Sequence, residues 1–395
     1  MIKRMILIVP LCFVLTLTTG CWDRVEIEDR GFVTAIGLDI AERGHGEKHP
    51  VYAVTSQLVV PSAVGKNQSQ ASKSKPFFNL TGKGTSIFEA IRDLSSKTSR
   101  TPFYEHNKLI VISDTLAKTG NLESVLDLML RDPESRRSTT VFISQGKARE
   151  VLGVKPPNEK LPSMYIGSMS RNHFKSLRIY PPVKIGDIHK FMLLGQSFAL
   201  PMIKKVSPKK LVMEGAALIH GQNMKMVGSL GPKETAGLKL LTGRAKDGVL
   251  EVEVKGKLIV IEIRGVKQSV QVNLDDPGAP QFKITLHIKG RLAESHLHRN
   301  HLQKKVLETI GRKIEKHVTK LTNLTLKKVQ NQYKVDVIGL DKFMRNYNFD
   351  YYRKVRRNWD SGKNVFAYSK IKVIPKADIS GIGIINQSSN YNEVK

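Results

Sequence analysis

The sequence predicts an α+β protein: two to three mixed α/β domains with mainly antiparallel sheets, the C-terminal sheet packed by a long helix. Two observations carry this. In the first half, short apolar or alternating runs are interspersed with helical periodicities in no regular order, which suits mixed layers better than a doubly wound parallel sheet. In the second half, three alternating segments, 250–254, 258–272 and 281–292, precede an apolar repeat over 300–329 at near-helical spacing.

Taken in order, the chain opens with Lys3 and Arg4, an apolar stretch from Met5 to about Leu17, and Thr18-Thr19-Gly20 before Cys21. This is the layout of a secretory signal peptide over 1–20. Small residues at Thr19 and Gly20 let a peptidase approach the Gly20–Cys21 bond, and the Cys21 thiol can carry a diacylglyceryl group as a thioether. Thr18 stands where such sites usually have Leu, with Leu17 one place back. An uncleaved anchor, ordinary cleavage without lipid and a free cysteine are the competing readings. The apolar run contains Pro10 and falls short of the roughly 20 residues a spanning helix needs. Two acyl chains, at roughly 0.8 kcal/mol per buried CH₂, attach stably where one does not. Residues 21–30 then form a lipidated tether.

Residues 31–40 alternate as a strand, with 51–60 as its antiparallel neighbour. The polar stretch 61–75 is a loop, and 77–80 a short strand. Ser86-x-x-Glu89 is a capping box for a helix with Ile87, Phe88, Ile91 and Leu94 on one face. The apolar burst 109–112 is a buried strand, 122–130 a helix stopped by Arg131-Asp132-Pro133, 139–144 a strand and 147–152 a short helix. A Pro-rich, basic stretch with a helix over 163–174 suggests a small subdomain at 155–195. A helix at 188–194 and a strand at 197–203 lead to the basic, Pro-containing run 204–210, which reads as a boundary.

The N-terminal region is therefore 31–205 and the C-terminal one 211–378, with a polar tail at 379–395. The second region has a hairpin through Gly221-Gln222-Asn223, a helix over 232–241 with Pro in its first turn, and the three strands. In the long helix, Leu302, Val306, Ile310, Ile314, Val318, Leu321, Leu324 and Val329 make the stripe. Lys304, Lys305, Arg312, Lys313, Lys316, Lys320, Lys327 and Lys328 make an outward basic face. A helix at 341–352 and a strand at 364–374 complete the pattern.

A chain of 395 residues, 40% hydrophobic and 25% charged, can bury real cores. The only cysteines are Cys12, inside the signal, and Cys21, so the mature chain has no pair to oxidise. Sixty-four basic against 35 acidic residues leave a formal charge of +29. For an exported, tethered chain the nearest polyanions are anionic lipid head groups and acidic wall polymers rather than nucleic acid; solubility alone is the bland alternative.

The run Cys21-Trp22-Asp23, then Glu26-Ile27-Glu28-Asp29-Arg30-Gly31-Phe32-Val33 and Ala35-Ile36-Gly37-Leu38-Asp39, resembles the start of the Ger(x)C family, the lipoprotein C subunits of spore germination receptors. Further similar segments are Leu130-Arg131-Asp132-Pro133-Glu134, Ala148-Arg149-Glu150-Val151-Leu152, Gly228-x-Leu230, Glu234-Thr235-x-Gly237-Leu238, Leu240-Leu241-Thr242-Gly243 and 355–359. Ser229, Gly231 and Lys233 depart from the acidic and aromatic flavour of many relatives. The similarity covers most of 21–378. It implies a subunit on the outer face of the spore inner membrane, working with membrane-embedded A and B germinant receptor subunits that sense nutrients.

The residues offer little chemistry of their own. Gly82-Lys83-Gly84 lacks the remainder of a phosphate loop, and neither a Gly-x-Ser-x-Gly elbow nor HExxH is present. His296-x-His298-x-x-His301, with Arg299 inside it, has metal-like spacing but no cysteine or patterned carboxylate beside it, and reads better as a solvated helix entrance. Glu26, Glu28 and Asp29 solvate the tether or meet a partner. The aromatic and basic run 343–359 reads as core with a charged rim, with base or sugar stacking as the alternative. No catalytic, cofactor or metal residues are assigned. The expectation is a non-catalytic receptor subunit; the alternatives are a lipid-anchored solute- or wall-binding protein and a surface hydrolase.

Overall fold

The structure is a computed structural model that describes Glu26 and residues 29–41, 49–64, 75–120, 122–297 and 304–380. Its centre is β1 (Arg30–Ile40), in which Val33, Ala35, Ile36 and Leu38 are fully buried. As expected, β2 (Tyr52–Val59) pairs with it antiparallel, Val54 opposite Leu38. β3 (Phe77–Gly84) continues the ladder four residues beyond the expected 77–80, and the Thr55 and Thr81 hydroxyls meet at 2.8 Å across it. After a helical turn at Pro61–Val64, where a loop was expected, the helix α1 (Ile87–Ser95) starts on Ser86, whose Oγ accepts from Glu89 N at 3.1 Å. The Glu89 carboxylate turns to the N–H and hydroxyl of Thr85, both at 2.7 Å, so the cap is made one residue upstream of the standard box. Phe88 is not on the buried face: it is 51% exposed under the Arg92 guanidinium, and Ala90 takes its place.

Beyond β1 the sheet turns parallel. β4 (Thr101–Phe103) and β5 (Leu109–Ser113) both run parallel to β1, β6 (Thr140–Gln145) parallel to β5, and β8 (Phe198–Ser207) parallel to β6. All five residues of β5 are buried, as in a strand covered on both faces. The crossovers supply the cover: α2 (Leu122–Arg131) between β5 and β6, then α3 (Ala148–Leu152), α4 (Pro162–Arg171), the two-residue β7 (Val183–Lys184) and α5 (Ile185–Leu194) between β6 and β8. Residues in the 155–195 stretch pack onto this sheet, Ile166 with Leu109, Phe142 and Ile203. Antiparallel pairings remain the majority over the molecule, but the parallel centre was not foreseen.

The run 204–210 is a hairpin turn within one sheet. β8 passes through Pro208-Lys209 into β9 (Lys210–His220), Ser207 opposite Lys210, and β10 (Lys225–Leu230) completes the sheet in the order β10-β9-β8-β6-β5-β1-β2-β3.

The second sheet has the order β11 (Gly248–Val254), β12 (Lys257–Asn273), β13 (Gln281–Ser295), β14 (Lys370–Ser380). Its first three strands are antiparallel, and β14 runs parallel to β13. Between α6 (Pro232–Leu241) and this sheet lies α7 (Lys304–Leu326), followed by a wider helical turn, Lys327–Gln332. Most of its stripe is as expected, Ile310, Ile314, Val318 and Leu321 being buried in one core with Ile259, Ile261, Ile284 and Leu286, but Leu324 is 37% exposed and Leu302 lies outside the described residues. The lysines face outward, except that Lys328 is half-buried on Glu234 at 2.9 Å.

Helices α6 and α7 touch at Gly237, where a Cβ would sit 2.1 Å from Thr325 Oγ1 and 2.4 Å from Leu321 O. The Thr325 hydroxyl donates to Glu234 O at 2.8 Å across the same contact. Gly237→Ala is therefore expected to cost about 3 kcal/mol by forcing the helices apart, read as a lower urea midpoint at an unchanged slope.

Near the end, the expected helix over 341–352 is two, α8 (Leu340–Tyr347) and α9 (Phe349–Val355), broken at Asn348 with φ −142°. The expected strand at 364 begins only at Lys370, because Asn364 Oδ1 accepts from Ala367 N at 2.9 Å and caps a helical turn.

Candidate functional site: an amino-terminal entry, a buried joint and a basic groove

Gly20 and Cys21 lie outside the described residues, as do His298, Arg299, His301 and the polar tail from 381 onward. What the structure gives is where the chain enters the first sheet. Nine residues after Cys21, β1 begins at Arg30, so the thiol reaches no farther than about 30 Å from that point at full extension. The Arg30 guanidinium lies 4.1 Å above the Phe103 ring, and Phe32, Phe103 and His106 pack edge to face with centroids 5.4 to 6.2 Å apart. Arg100 and Lys108 are exposed near this end of the sheet.

His296 is exposed with Nε2 2.7 Å from Glu294 Oε1. Among the described residues no group of three or more His, Cys, Asp and Glu side chains is placed to hold a metal ion, and no helix is long and apolar enough to cross a membrane. The aromatic run 343–359 divides as expected: Tyr352 and Trp359 are buried, Arg353, Lys354, Arg356 and Arg357 form an exposed rim, and Tyr347 and Phe349 are the exceptions that face solvent.

Three buried carboxylates converge that no spacing in the sequence suggested. Asp336 accepts from four N–H groups: Ile338 at 3.1 Å, Gly339 at 2.9 Å, Asp341 at 2.7 Å and the Trp359 indole at 2.8 Å. Gly339 can close this loop because its φ of +88° lies where a side chain would be strained. The Asp341 carboxylate takes the Gln196 amide. Asp360 Oδ2 accepts from the Ser197 hydroxyl at 2.5 Å and from Asp336 N at 3.2 Å. Ser197 Oγ in turn accepts from Gly221 N at 3.0 Å, and His220 Nε2 lies 3.1 Å from Asp360 O.

These bonds stitch the start of β8 and the end of β9 to the 336–360 segment, so the cluster is a joint between the two sheets. The Asp-x-x-Gly-x-Asp pattern of 336–341 is a local signal that could have pointed to a capped turn there. Burial raises the affinity of Asp336 for a proton, but its four donors oppose that. Asp341, with burial acting first and the Asp336 charge second, is pushed up to about 7.

On the far side of the second sheet a groove runs beside β11, which is an edge strand. Two adjoining cavities of about 750 and 490 Å³ share Glu251, His317, Lys320 and Leu324. The five consecutive residues 249–253 line one or both, so the groove follows the strand's edge and not one of its faces. Val249 is 48% and Leu324 37% exposed along it. Lys313, Lys316, Lys320 and Lys327 stand on the helix bank, and burial pulls the pKa of His317 down among them.

By geometry this is a two-sheet α+β module whose conspicuous features are surfaces and a structural joint. Its relatives agree on a class. Residues 23–205 match the family model of the spore germination protein N-terminal domain, and 214–383 that of the spore germination B3/GerAC-like C-terminal domain. The chain belongs to this Ger(x)C family of spore germination proteins. It is 30% identical to spore germination protein B3 of Bacillus subtilis (strain 168) over 352 residues, covering 88% of this chain and 91% of that one. It is 28% identical to spore germination protein YndF of the same organism over 370 residues, covering 89% and 91%. The crystal structure of the GerBC protein aligns with a TM-score of 0.60 at 25% identity, over 88% of this chain and 98% of that one.

Proposed function

We propose that this chain is the lipid-anchored, non-catalytic C subunit of a nutrient (germinant) receptor complex, held through Cys21 on the outer face of the spore inner membrane beside membrane-embedded A and B subunits. The observation that carries the reading is family membership over both halves of the chain, joined to a signal-like leader that ends at Cys21 only nine residues before β1. Tethering at that distance holds the module near its partners and raises their effective concentration. The three buried aspartates fit a structural role, since each accepts hydrogen bonds from the chain's own donors and all are under 8% exposed.

Deleting the gene in spores without a redundant receptor is expected to abolish the response to at least one nutrient. Normal germination with every nutrient of a broad panel would overturn the reading. Cys21→Ala is expected to release the protein from the membrane fraction, and mass spectrometry of the amino-terminal peptide reads the lipid directly. A second reading, a lipid-anchored solute- or wall-binding protein, draws on a cleft of about 810 Å³ beside the joint, lined by residues such as Phe198, Arg244, Lys342 and Tyr347. Saturable solute binding there, together with normal germination of the deletion strain, would favour it.

A further inference from the structure

We propose that the edge of β11 and the basic bank of α7 form a docking groove for an extended, acidic peptide segment of a protein partner, taken up as an added strand of the second sheet. The proposal rests on the reading of the chain as a binding subunit. Three observations converge on it. β11 pairs only with β12, and among the described residues no backbone hydrogen bond from elsewhere reaches 249–254, so the outward N–H and C=O groups of this strand are available. The lining is mainly hydrocarbon, with Val249, Val252, Leu321 and Leu324 along it, which suits a peptide's side chains. The helix bank carries Lys313, Lys316, Lys320 and Lys327, and Lys175, Arg178 and Lys233 line the other end.

Charge also selects the occupant. A second copy of β11 laid antiparallel would bring Glu251 and Glu253 against their counterparts, and like charges directly opposite each other repel. A strand that alternates acidic with apolar residues takes the register that sets its carboxylates toward the lysines and away from Glu251 and Glu253. The sheet then gains a fifth strand, and a bare edge is covered.

The test uses the full chain in detergent micelles and a fluorescein-labelled peptide, acetyl-Glu-Val-Glu-Val-Glu-Val-Glu-amide, followed by anisotropy. Saturable binding is expected, weakened at least tenfold by the double substitution Lys316→Glu and Lys320→Glu, both exposed positions. A peptide N-methylated at alternate residues, which cannot donate to an edge strand, is expected to bind at least tenfold more weakly to the unaltered chain. Absence of saturable binding, equal binding of the methylated peptide, indifference to the charge reversal, or displacement by inorganic polyphosphate at equal charge would each overturn the proposal. The titration reads the groove in the purified chain and the deletion strain reads the receptor role, so the two can fail separately.

Discussion

Asp336→Ala is expected to lower the unfolding free energy by about 4 kcal/mol, the largest loss from any single side chain in the joint. The substitution leaves the N–H groups of Ile338, Gly339 and Asp341 and the Trp359 indole buried with no acceptor. Each orphaned donor loses its bond and stays out of water, so the effect exceeds that of removing one exposed ion pair. Asp336→Asn is expected to fare little better, because its amide NH₂ would point at donors. Urea unfolding followed by Trp359 fluorescence measures the loss at its source, since the only other tryptophan, Trp22, precedes β1 in the sequence. A loss under 1 kcal/mol would mean the joint does not hold the sheets together.

Asp341 produces the second large effect, and its sign is opposite to that of a salt-bridged carboxylate. Its folded pKa is raised from 3.8 to about 7, so between those values the folded chain keeps a proton that the unfolded chain has released. Stability is therefore fully present below pH 4 and falls as pH rises toward 7, above which the curve levels. Three pH units at 1.36 kcal/mol each give a change of about 4 kcal/mol from this group. Asp341→Asn keeps an oxygen for Gln196 and removes the ionisation. It is expected to flatten the pH 4 to 7 limb of the stability curve and to make the variant more stable than the parent at pH 8. An unchanged slope would show that the proton resides elsewhere in the cluster.

Local signals were legible where one segment decides its own structure. Pro232 at the start of α6, Ser86 before α1, the alternation of β1 and the stripe of α7 each mark an element by signals local to the segment. Direction and neighbourhood were not legible. Whether β5 lies parallel to β1 depends on how a helical crossover lays the chain down, and nothing in Leu109–Ser113 encodes that. The run at 204–210 has the composition of a linker, yet Pro208-Lys209 is simply an exposed turn between strands that pair on both sides of it.

The same limit hid the joint and the groove. Gln196 and Asp341 are 145 residues apart, and Ser197 and Asp360 163. Their meeting follows from packing two sheets, which no spacing rule sees. The lysines of α7 were legible as an outward face, but the groove needed β11 beside them.

The seam between the two family models has a consequence for inheritance. One model ends at 205, inside β8, and the other begins at 214, inside β9, while β8, β9 and β10 belong to a single ladder. A chimera spliced there from two relatives would ask strands of foreign origin to complete each other's hydrophobic faces. The two halves are therefore joined through one sheet, and a splice at that seam would divide it.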